Sequence, residues 1–379
     1  MDNVTHTLFA ATLARTPLGR AGRGTAAALI LASNAPDIDI VATAGGPLKY
    51  LEWHRGPTHG PLGVVGLAVV TAGLVWIGRG ILDRRRAHAE PAPARAGADA
   101  QVDASLAMLA AVSLVGVLLH VLMDLPTSYG TRILSPFDWH WFAVDWLPIV
   151  DIYLLGALVV GLLGRPSPAQ RRAKAALVLL LMATNYGVRA VSHQQALAVA
   201  PWLFGPTLPE LCDPPPPAGA RLLDSWPRRV PPSAPTSGRR CLVEIAAMPS
   251  FISPFKWRII AQMSNAYEIH DIDLLDQSFR EPDQESGAPW RLTLRYPNVW
   301  TPAVQRAATT HIGQRFLGFS RFPAARSVVD AHGVTTVRWT DVRFVGMIAL
   351  DQPRSGPDLF TATVRLSPDG QILEEKLGR

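Results

Sequence analysis

Charged side chains are scarce in this chain of 379 residues. Only 17% of the residues are Asp, Glu, Lys or Arg, whereas soluble domains usually carry about a quarter. This shortage argues against a wholly soluble protein. Hydrophobic residues make up 48% of the chain, which excludes a disordered protein, because disorder requires little apolar sequence and much charge. The 33 prolines and 30 glycines follow no collagen period, so a fibrous protein is also excluded.

Cysteine is nearly absent, with only Cys212 and Cys241 in the chain. Two cysteines cannot build a disulfide framework, and this pair lies too far apart for a Cys-x-x-Cys metal or redox motif. Two alternatives stay open. The cysteines form a single disulfide in an oxidising compartment, or they are two free thiols.

The formal net charge of +6 is of the sign that nucleic-acid-binding proteins carry. The basic residues, however, lie at the ends of apolar segments rather than along one amphipathic stripe. We therefore expect no nucleic-acid partner.

Four apolar segments in the first half of the chain have a length near the roughly 20 residues that a helix needs to span a bilayer. Buried core helices are the alternative, but four such runs are difficult to bury without lipid. Two shorter apolar pieces at residues 7–18 and 25–33 predict a short N-terminal helical hairpin. The predicted spans cover residues 61–78, 104–123, 146–163 and 175–191.

Loops rich in arginine and lysine orient these spans. The loops at residues 79–95 and 165–174 carry most of the basic residues, and the positive-inside rule places both in the cytoplasm. The loop between the second and third spans holds only Arg132 as a basic residue, so it is assigned to the outer side. By alternation, the chain after about residue 195 is predicted to be extracytoplasmic.

The second half of the chain has a different pattern. Residues 196–240 are rich in proline and predict an extended, semi-rigid connector. Residues 302–319 predict one helix, with Thr301 as its N-cap. Alternating segments that predict strands lie at 241–248, 257–263, 266–273, 290–296, 335–344 and 359–367. We expect a polytopic α-helical membrane domain over residues 1–195, with about four spans and the hairpin, followed after the connector by a small α+β domain over 241–379.

Histidine and aspartate are concentrated on the predicted outer face. His120 and Asp124 are four residues apart at the outer end of the second span, so they share a helix face and could share an ion. His54 and His59 flank a turn that could fold both imidazoles inward. Asp151 lies about one turn into the third span, where an acid is costly unless it faces protein, water or a cation. The same face also holds His6, Asp37, Asp39, His140 and Asp145.

Several of these residues also have a purely structural explanation. His6 could be a surface residue, and Asp37 and Asp39 could cap a helix. His140 lies between two tryptophans and fits an interfacial belt, whereas Asp145 could cap the third span. As a set, imidazoles and carboxylates favour zinc, manganese or iron. More than four candidate ligands suggests two or more ions, as in phosphoester hydrolysis.

The chain contains, in this order, the segments MDNVTHTLFA, NAPDIDIV, HRGPTHG and HVLMDLPTSYGTRILSPF. Together they resemble the YdjM-like family of predicted inner-membrane metal-dependent hydrolases, which is distantly similar to zinc-dependent phospholipase C. The resemblance covers about residues 1–165, and the strand-rich tail resembles an extension that some members carry. It implies the metal ligands His6, Asp37, Asp39, His54, His59, His120, Asp124 and Asp151, with Asp145 as an alternative to Asp151.

We expect a membrane-bound hydrolase that uses metal-activated water on a phosphoester or lipid-linked substrate at the outer surface of the bacterial inner membrane. The expected ion is zinc, with manganese or iron as alternatives, and one or more ions are expected. Asp39, His54 and Arg55 are the expected catalytic residues. Arg55 is either a bidentate phosphate donor or a lipid-headgroup anchor. The expected partners are membrane lipid and the substrate.

Two other functions are considered. A non-enzymatic membrane protein would hold its helices together with a structural metal and bind a partner through its tail; this predicts a closed coordination shell. A transporter would show internal repeats. Residues 61–123 and 146–191 show no such repeat, so transport ranks last.

Overall fold

The computed structural model describes residues 1–89, 102–164, 167–204, 211–212, 223–227, 241–276, 294–345 and 360–378. The chain divides into two compact units. Unit 1 consists of residues 1–40, 55–139 and 147–187, and unit 2 consists of residues 41–54, 140–146 and 188–379. Unit 2 therefore includes two short segments of the N-terminal half. Most of the predicted connector lies outside the described residues, and the predicted boundaries at 195 and 240 stay predictions.

The described residues form nine α-helices and ten β-strands. The helices are α1 (Asn3–Leu13), α2 (Thr25–Ala32), α3 (Pro47–Trp53), α4 (Pro61–Ala89), α5 (Leu106–Asp124), α6 (Ile152–Leu162), α7 (Pro168–Val199), α8 (Pro302–Ala308) and α9 (His311–Phe319). The strands are β1 (Trp141–Ala143), β2 (Asp224–Trp226), β3 (Leu242–Pro249), β4 (Lys256–Met263), β5 (Ala266–Asp273), β6 (Leu294–Pro297), β7 (Pro323–Val329), β8 (Thr335–Asp341), β9 (Thr361–Leu366) and β10 (Ile372–Leu377).

Three helices are long and apolar enough to cross a membrane, namely Pro61–Arg86, Leu106–Asp124 and Pro168–Leu203. They coincide with the first, second and fourth predicted spans. A further candidate is a bent pair, in which α2 is followed at 45° by the 3-10 helix Pro36–Gly45. The helical membrane character of the N-terminal region is thus as predicted, while the number of spans stays a prediction.

The third predicted span differs from the structure. It contains α6, which has 11 residues and is shorter than the roughly 20 residues that a span needs. The helix begins late because Asp151 is its N-cap: the carboxylate accepts hydrogen bonds from the backbone N–H groups of Tyr153 at 3.0 Å and Leu154 at 2.9 Å. The apolar residues before Asp151 therefore do not extend the helix.

Helices α2, α4 and α5 pack around a small apolar core in unit 1. A side chain at Gly116 would place its Cβ 2.9 Å from the Ala32 Cβ and 3.1 Å from the Leu29 carbonyl oxygen. The glycine therefore permits a close approach of α5 to the end of α2. The core cluster contains Ala32, Val64, Ala68, Val117 and Val121.

Unit 2 contains two four-stranded antiparallel sheets, with strand orders β3-β4-β5-β6 and β10-β9-β8-β7, and a two-stranded sheet of β1 and β2. Five predicted strands coincide with β3, β4, β5, β8 and β9. The sixth coincides in part with β6, and its residues 290–293 lie outside the described residues. The C-terminal region thus contains β-sheets, in rough agreement with the predicted small α+β domain.

Strands β7 and β10 and the division of the helix at 302–319 were not predicted. The sequence of β7, PAARSVV, begins with Pro and two Ala, which are poor strand formers, and β10 is a largely exposed, charged edge strand. The predicted single helix is two helices, because Thr310 caps α9 by accepting from the Gly313 N–H at 3.1 Å. The prediction of Thr301 as a cap is confirmed, since its hydroxyl accepts from the Val304 N–H at 3.3 Å.

Cys212 and Cys241 form a disulfide, with their Cα atoms 5.0 Å apart. This decides between the two alternatives that the sequence left open. Both cysteines are buried and pack with Val243 at the start of β3.

Candidate metal centre

Four buried side chains of unit 1 converge on one point. Asp37 comes from the 3-10 helix that follows α2, and His59 comes from the turn before α4. His120 and Asp124 come from the last turns of α5. One candidate ligand atom from each residue lies within 4.8 Å of the others, so the group could hold a metal ion.

The distances within this group are short and mutual. The Asp124 Oδ2 atom lies 3.3 Å from the His59 Nε2 atom and 3.4 Å from the His120 Nε2 atom. The two Nε2 atoms are 3.3 Å apart. The Asp37 Oδ1 atom lies 3.5 Å from the His120 Nε2 atom and 3.8 Å from the His59 Nε2 atom. The four side chains therefore face a common centre rather than forming two separate pairs.

The opposite nitrogen of each imidazole is held by another group. The His120 Nδ1 atom lies 2.7 Å from the Ser33 carbonyl oxygen. A carbonyl can only accept, so Nδ1 carries a proton, and Nε2 is the ring nitrogen that faces the centre. The His59 Nδ1 atom lies 3.0 Å from the Thr58 hydroxyl and 3.7 Å from the Asp39 Oδ2 atom. Metal-binding histidines in proteins are oriented by contacts of this kind.

Local sequence explains how His59 reaches the centre. A side chain at Gly60 would place its Cβ 1.7 Å from the Ser135 carbonyl oxygen, so only glycine allows this turn to approach the loop after α5. Arg55 has a positive φ of 50°, and its backbone N–H donates to the Asp39 Oδ2 atom at 2.6 Å. The segment HRGPTHG therefore forms a tight turn tied to the segment PDID.

Asp124 has further positively charged or histidine neighbours. Its Oδ1 atom lies 3.0 Å from the Arg55 Nη2 atom and 3.3 Å from the His6 Nε2 atom, and it also contacts the amino group of Met1. The His6 ring stacks on the His120 ring with centroids 3.8 Å apart. The guanidinium of Arg55 thus offsets part of the negative charge at the centre.

Burial keeps two of these imidazoles neutral. It lowers the pKa of His6 to about 4, and it lowers the pKa of His59 below the ordinary range. Metal binding requires an unprotonated ring nitrogen. At neutral pH both side chains are therefore in the form that can bind a metal.

Two buried carboxylate oxygens indicate that the group fits a cation. The Oδ2 atoms of Asp37 and Asp124 accept no hydrogen bond from the residues that the structure describes. Buried carboxylates are costly unless they are paired or coordinate a metal. Nitrogen and oxygen ligands in this mixture suit zinc, manganese or iron, so the residues present fit a divalent ion of that group.

The other predicted ligands lie in different positions. His6 lies at the edge of the group through its contact with Asp124, and Asp39 lies behind His59. Asp151 caps α6, and His54 belongs to unit 2, where its ring stacks on Tyr50 with centroids 4.4 Å apart. The structure thus brings four of the predicted ligands together, and the ligand role of the others stays a prediction.

Two further candidates from the predicted outer face also belong to unit 2. They are His140 and Asp145. The Asp145 Oδ2 atom lies 2.6 Å from the Arg321 Nη1 atom, so this acid is paired with an arginine of the same unit.

Arg55 is placed inside the protein rather than at a lipid headgroup. The side chain is 4% exposed, and one of its nitrogens donates to the Gly130 carbonyl at 3.1 Å. The guanidinium also lies over the Tyr129 ring, 5.0 Å from its centroid. Its position beside Asp124 suits a role in the centre and does not suit a headgroup anchor.

Sequence reasoning missed three groups around the centre. Ser33 contributes only its carbonyl, which leaves no signal in the sequence. Thr58 stands beside His59, and its hydroxyl lies 3.5 Å from the Asp39 Oδ2 atom. Tyr186 of α7 brings its hydroxyl to 4.0 Å from the sulfur of Met1, whose amino group contacts Asp124. Only the adjacency of Thr58 to a histidine could have been recognised in advance.

Comparison with known proteins identifies a family for this chain. Searches of curated proteins and of solved structures found no match. The model of a family described as YdjM inner membrane protein matches residues 1–196, just over half of the 379 residues. The matched part contains all four residues of the centre. The chain therefore belongs to the YdjM inner membrane protein family.

Proposed function

We propose that this protein is a membrane-bound, metal-dependent hydrolase. Asp37, His59, His120 and Asp124 hold the ion, and zinc is the expected metal, with manganese or iron as alternatives. The observation that carries the proposal is the convergence of these four side chains within 4.8 Å. Catalytic zinc sites keep a coordination position for water or substrate, so hydrolysis requires that the ion bind water beside these side chains.

A bound divalent ion supplies a more acidic coordinated water and a positive charge for a developing oxyanion. The chain's own residues orient and balance the site. The Ser33 carbonyl holds the His120 ring, and Thr58 and Asp39 lie against the His59 Nδ1 atom. Arg55 lies 3.0 Å from Asp124 and carries donors suited to a phosphate. Asp39 and Arg55 stay the proposed catalytic residues of this centre, and the catalytic role of His54, which belongs to unit 2, stays a sequence-based prediction.

The location of the centre supports a phosphoester or lipid-linked substrate. Asp124 ends α5, a helix apolar enough to cross a membrane, so the centre lies at the end of a candidate span. Ile38 and Ile40, which alternate with the two acids of PDID, are each 55% exposed. Exposed apolar side chains beside a polar centre favour an amphiphilic substrate that stays in the membrane.

We place the centre and unit 2 on the outer side of the membrane. The arginine-rich segment at 79–95 and the basic segment at 165–174 favour a cytoplasmic location for those two loops. The disulfide of Cys212 and Cys241 in unit 2 supports an oxidising compartment.

Reporter fusions test this topology. Fusions after residues 90 and 170 are expected to report the cytoplasm, and a fusion after residue 379 is expected to report the outside, because the basic loops are retained inside. Alkaline phosphatase and green fluorescent protein fusions in whole cells make the measurement. A cytoplasmic signal at 379 contradicts the placement of unit 2, and an outward signal at 90 as well inverts the whole topology.

A second candidate function is that of a non-enzymatic membrane protein with a structural metal. The number of protein ligands in the centre supports it. Four protein ligands can close a tetrahedral shell, as in structural zinc sites. In that case the metal holds together the 3-10 helix after α2, the turn before α4, and the end of α5. Unit 2 then serves to bind a partner. The two functions differ in one measurable property, since only the hydrolase needs a position open to water.

Asp39 provides a graded test of the site. The structure places its carboxylate behind His59, at 3.7 Å from the Nδ1 atom, and outside the group of four. Asp39→Ala is therefore expected to weaken zinc binding by about 10–100-fold, the usual loss for an orienting contact. Competition with a chromophoric chelator measures the Kd.

Asp37→Ala is the matched variant, because it removes a carboxylate of the group from the same 3-10 helix. It is expected to weaken binding more than Asp39→Ala does. Equal losses from both variants would make Asp39 a ligand, as the family resemblance implies. No loss from Asp39→Ala would remove its orienting role.

A further inference from the structure

The loop between β3 and β4 exposes two large apolar side chains. Phe251 is 44% exposed and Ile252 is 58% exposed. The surrounding segment 249–255, PSFISPF, contains no charged residue. The Ser250 hydroxyl accepts from the Ile252 N–H at 3.2 Å, and the Ser253 hydroxyl accepts from the Phe255 N–H at 3.2 Å. The loop therefore has a defined conformation that keeps both apolar side chains on the surface.

The sheet that carries this loop is packed on the C-terminal part of α7. Trp257 and Ile259 of β4 share one buried cluster with Ala196 and Ala200. The loop itself is fixed to the same helix, because the Arg189 Nη1 atom donates to the Ser250 carbonyl at 3.0 Å. The loop therefore lies beside α7 at the level of Arg189.

Arg189 marks the end of the apolar part of α7. It is the first charged residue in the apolar run 175–191. On either side of it, Val188 is 37% exposed and Val191 is 59% exposed. Residues 192–195, SHQQ, are polar. Because α7 lies in a helix long and apolar enough to cross a membrane, the boundary between lipid and water is expected where this apolar run ends, near Arg189.

We propose that Phe251 and Ile252 insert into the lipid interface beside α7 and anchor the sheet of β3 to β6 to the membrane surface. Lipid is the occupant because the exposed apolar surface of the loop lies at the level where the apolar surface of α7 ends. Aromatic and aliphatic side chains are favourable at that depth. Lys256 follows the loop; its ammonium lies 3.7 Å from the Asp273 Oδ2 atom, and its side chain is 58% exposed, so it stays accessible to anionic headgroups.

This anchor does not depend on the metal centre or on hydrolysis. It makes the β-sheet region a membrane-associated body rather than one that moves freely on a tether. The loop lies on the same side of the membrane as the C-terminal end of α7.

Spin labelling of the full-length protein tests the anchor. The two native cysteines are joined in a disulfide, so a nitroxide reagent reacts only with an introduced thiol. Phe251→Cys and Ile252→Cys are labelled separately, and Val328→Cys on β7 is the control, because Val328 is 69% exposed. The proteins are reconstituted into vesicles of phosphatidylcholine and phosphatidylglycerol. Collision with oxygen and with a water-soluble nickel complex is measured by power saturation.

Labels at 251 and 252 are expected to collide more with oxygen and less with nickel than the label at 328, which places them in lipid. Equal collision ratios at the three positions would place the loop in water and overturn the proposal. Protection of the labels at 251 and 252 from both reagents would place them in a protein contact and overturn it as well. Two labelled positions keep the result readable if one variant folds poorly.

Discussion

His120→Ala is expected to reduce the metal content of the purified protein to background. The Nε2 atom of His120 lies within 3.5 Å of atoms from Asp37, His59 and Asp124, so its removal deprives the centre of a ligand and leaves the carboxylates facing one another. His59→Ala and Asp124→Ala are expected to have the same effect. Elemental analysis of the detergent-purified protein, together with zinc titration after chelation, makes the measurement.

Loss of folding could imitate loss of a ligand, so the control must resemble His120→Ala. Ser113 lies two turns earlier on α5 and is also fully buried, but it is not among the four residues of the centre. Ser113→Ala is expected to keep the metal. His88→Ala removes an exposed histidine at the end of α4 and is also expected to keep it. Helical content and the yield of monodisperse protein must match the wild type in every variant.

The same variants separate the two candidate functions. A hydrolase is expected to cleave phosphoester model substrates in the metal-loaded form and to lose this activity in parallel with metal in His120→Ala. A structural metal predicts instead that metal loss lowers the thermal unfolding temperature and that the loaded wild type shows no hydrolysis. Full metal content in well-folded His59→Ala, His120→Ala and Asp124→Ala proteins would show that these residues do not bind the metal. Both candidate functions would then be contradicted.

The part of the centre that was predictable is the part with local spacing. His120 and Asp124 share a helix face because they are four residues apart in one helix, and the structure places them side by side, 3.4 Å apart. The meeting of Asp37 and His59 with this pair depends on the packing of α2 against α5 at Gly116, which no spacing encodes. The predicted topology placed Asp37 and His59 on the same face as this pair, but it did not show that they meet it.

His54 illustrates what local reasoning leaves out. It stands five positions before His59, and a tight turn between the two suggested that both rings face inward. The turn exists, but it ends α3 on one side and leads to α4 on the other, and the two histidines belong to different units. Sequence proximity could not show that the chain passes from one unit to the other at this turn.

The fold shows the same limit. Strands with alternating apolar residues were predictable, because one face of each is buried in a sheet. The edge strand β10 carries charges on exposed positions and gave no such pattern. The pairing of β1 with β2 joins Trp141 to Trp226 across the sequence, and a contact between such distant segments leaves no local signal.

Arg321→Ala is expected to destabilise unit 2 by about 3–5 kcal/mol, because it leaves a buried carboxylate without its cation. Arg321 lies 2.6 Å from Asp145 and 3.0 Å from Asp224, and the side chains of Arg321 and Asp145 are 4% and 2% exposed. Burial disfavours the guanidinium charge, but the two carboxylates outweigh it and raise the pKa of Arg321 above its ordinary value. Urea unfolding followed by tryptophan fluorescence measures the change, because Trp226 lies 5.4 Å from the guanidinium.

Arg365→Ala is the matched control, since it breaks an ion pair with Glu374 in the same unit whose side chains are 43% and 41% exposed. An exposed pair contributes about 0–1 kcal/mol, so the unfolding midpoint should barely move.

Metal content tests whether Asp145 is a metal ligand. It is expected to stay at the wild-type level in Arg321→Ala and Asp145→Asn, because Asp145 belongs to unit 2 and the metal centre belongs to unit 1. Loss of metal in Asp145→Asn at an unchanged unfolding midpoint would instead identify Asp145 as a ligand, the alternative to Asp151 that the family resemblance left open.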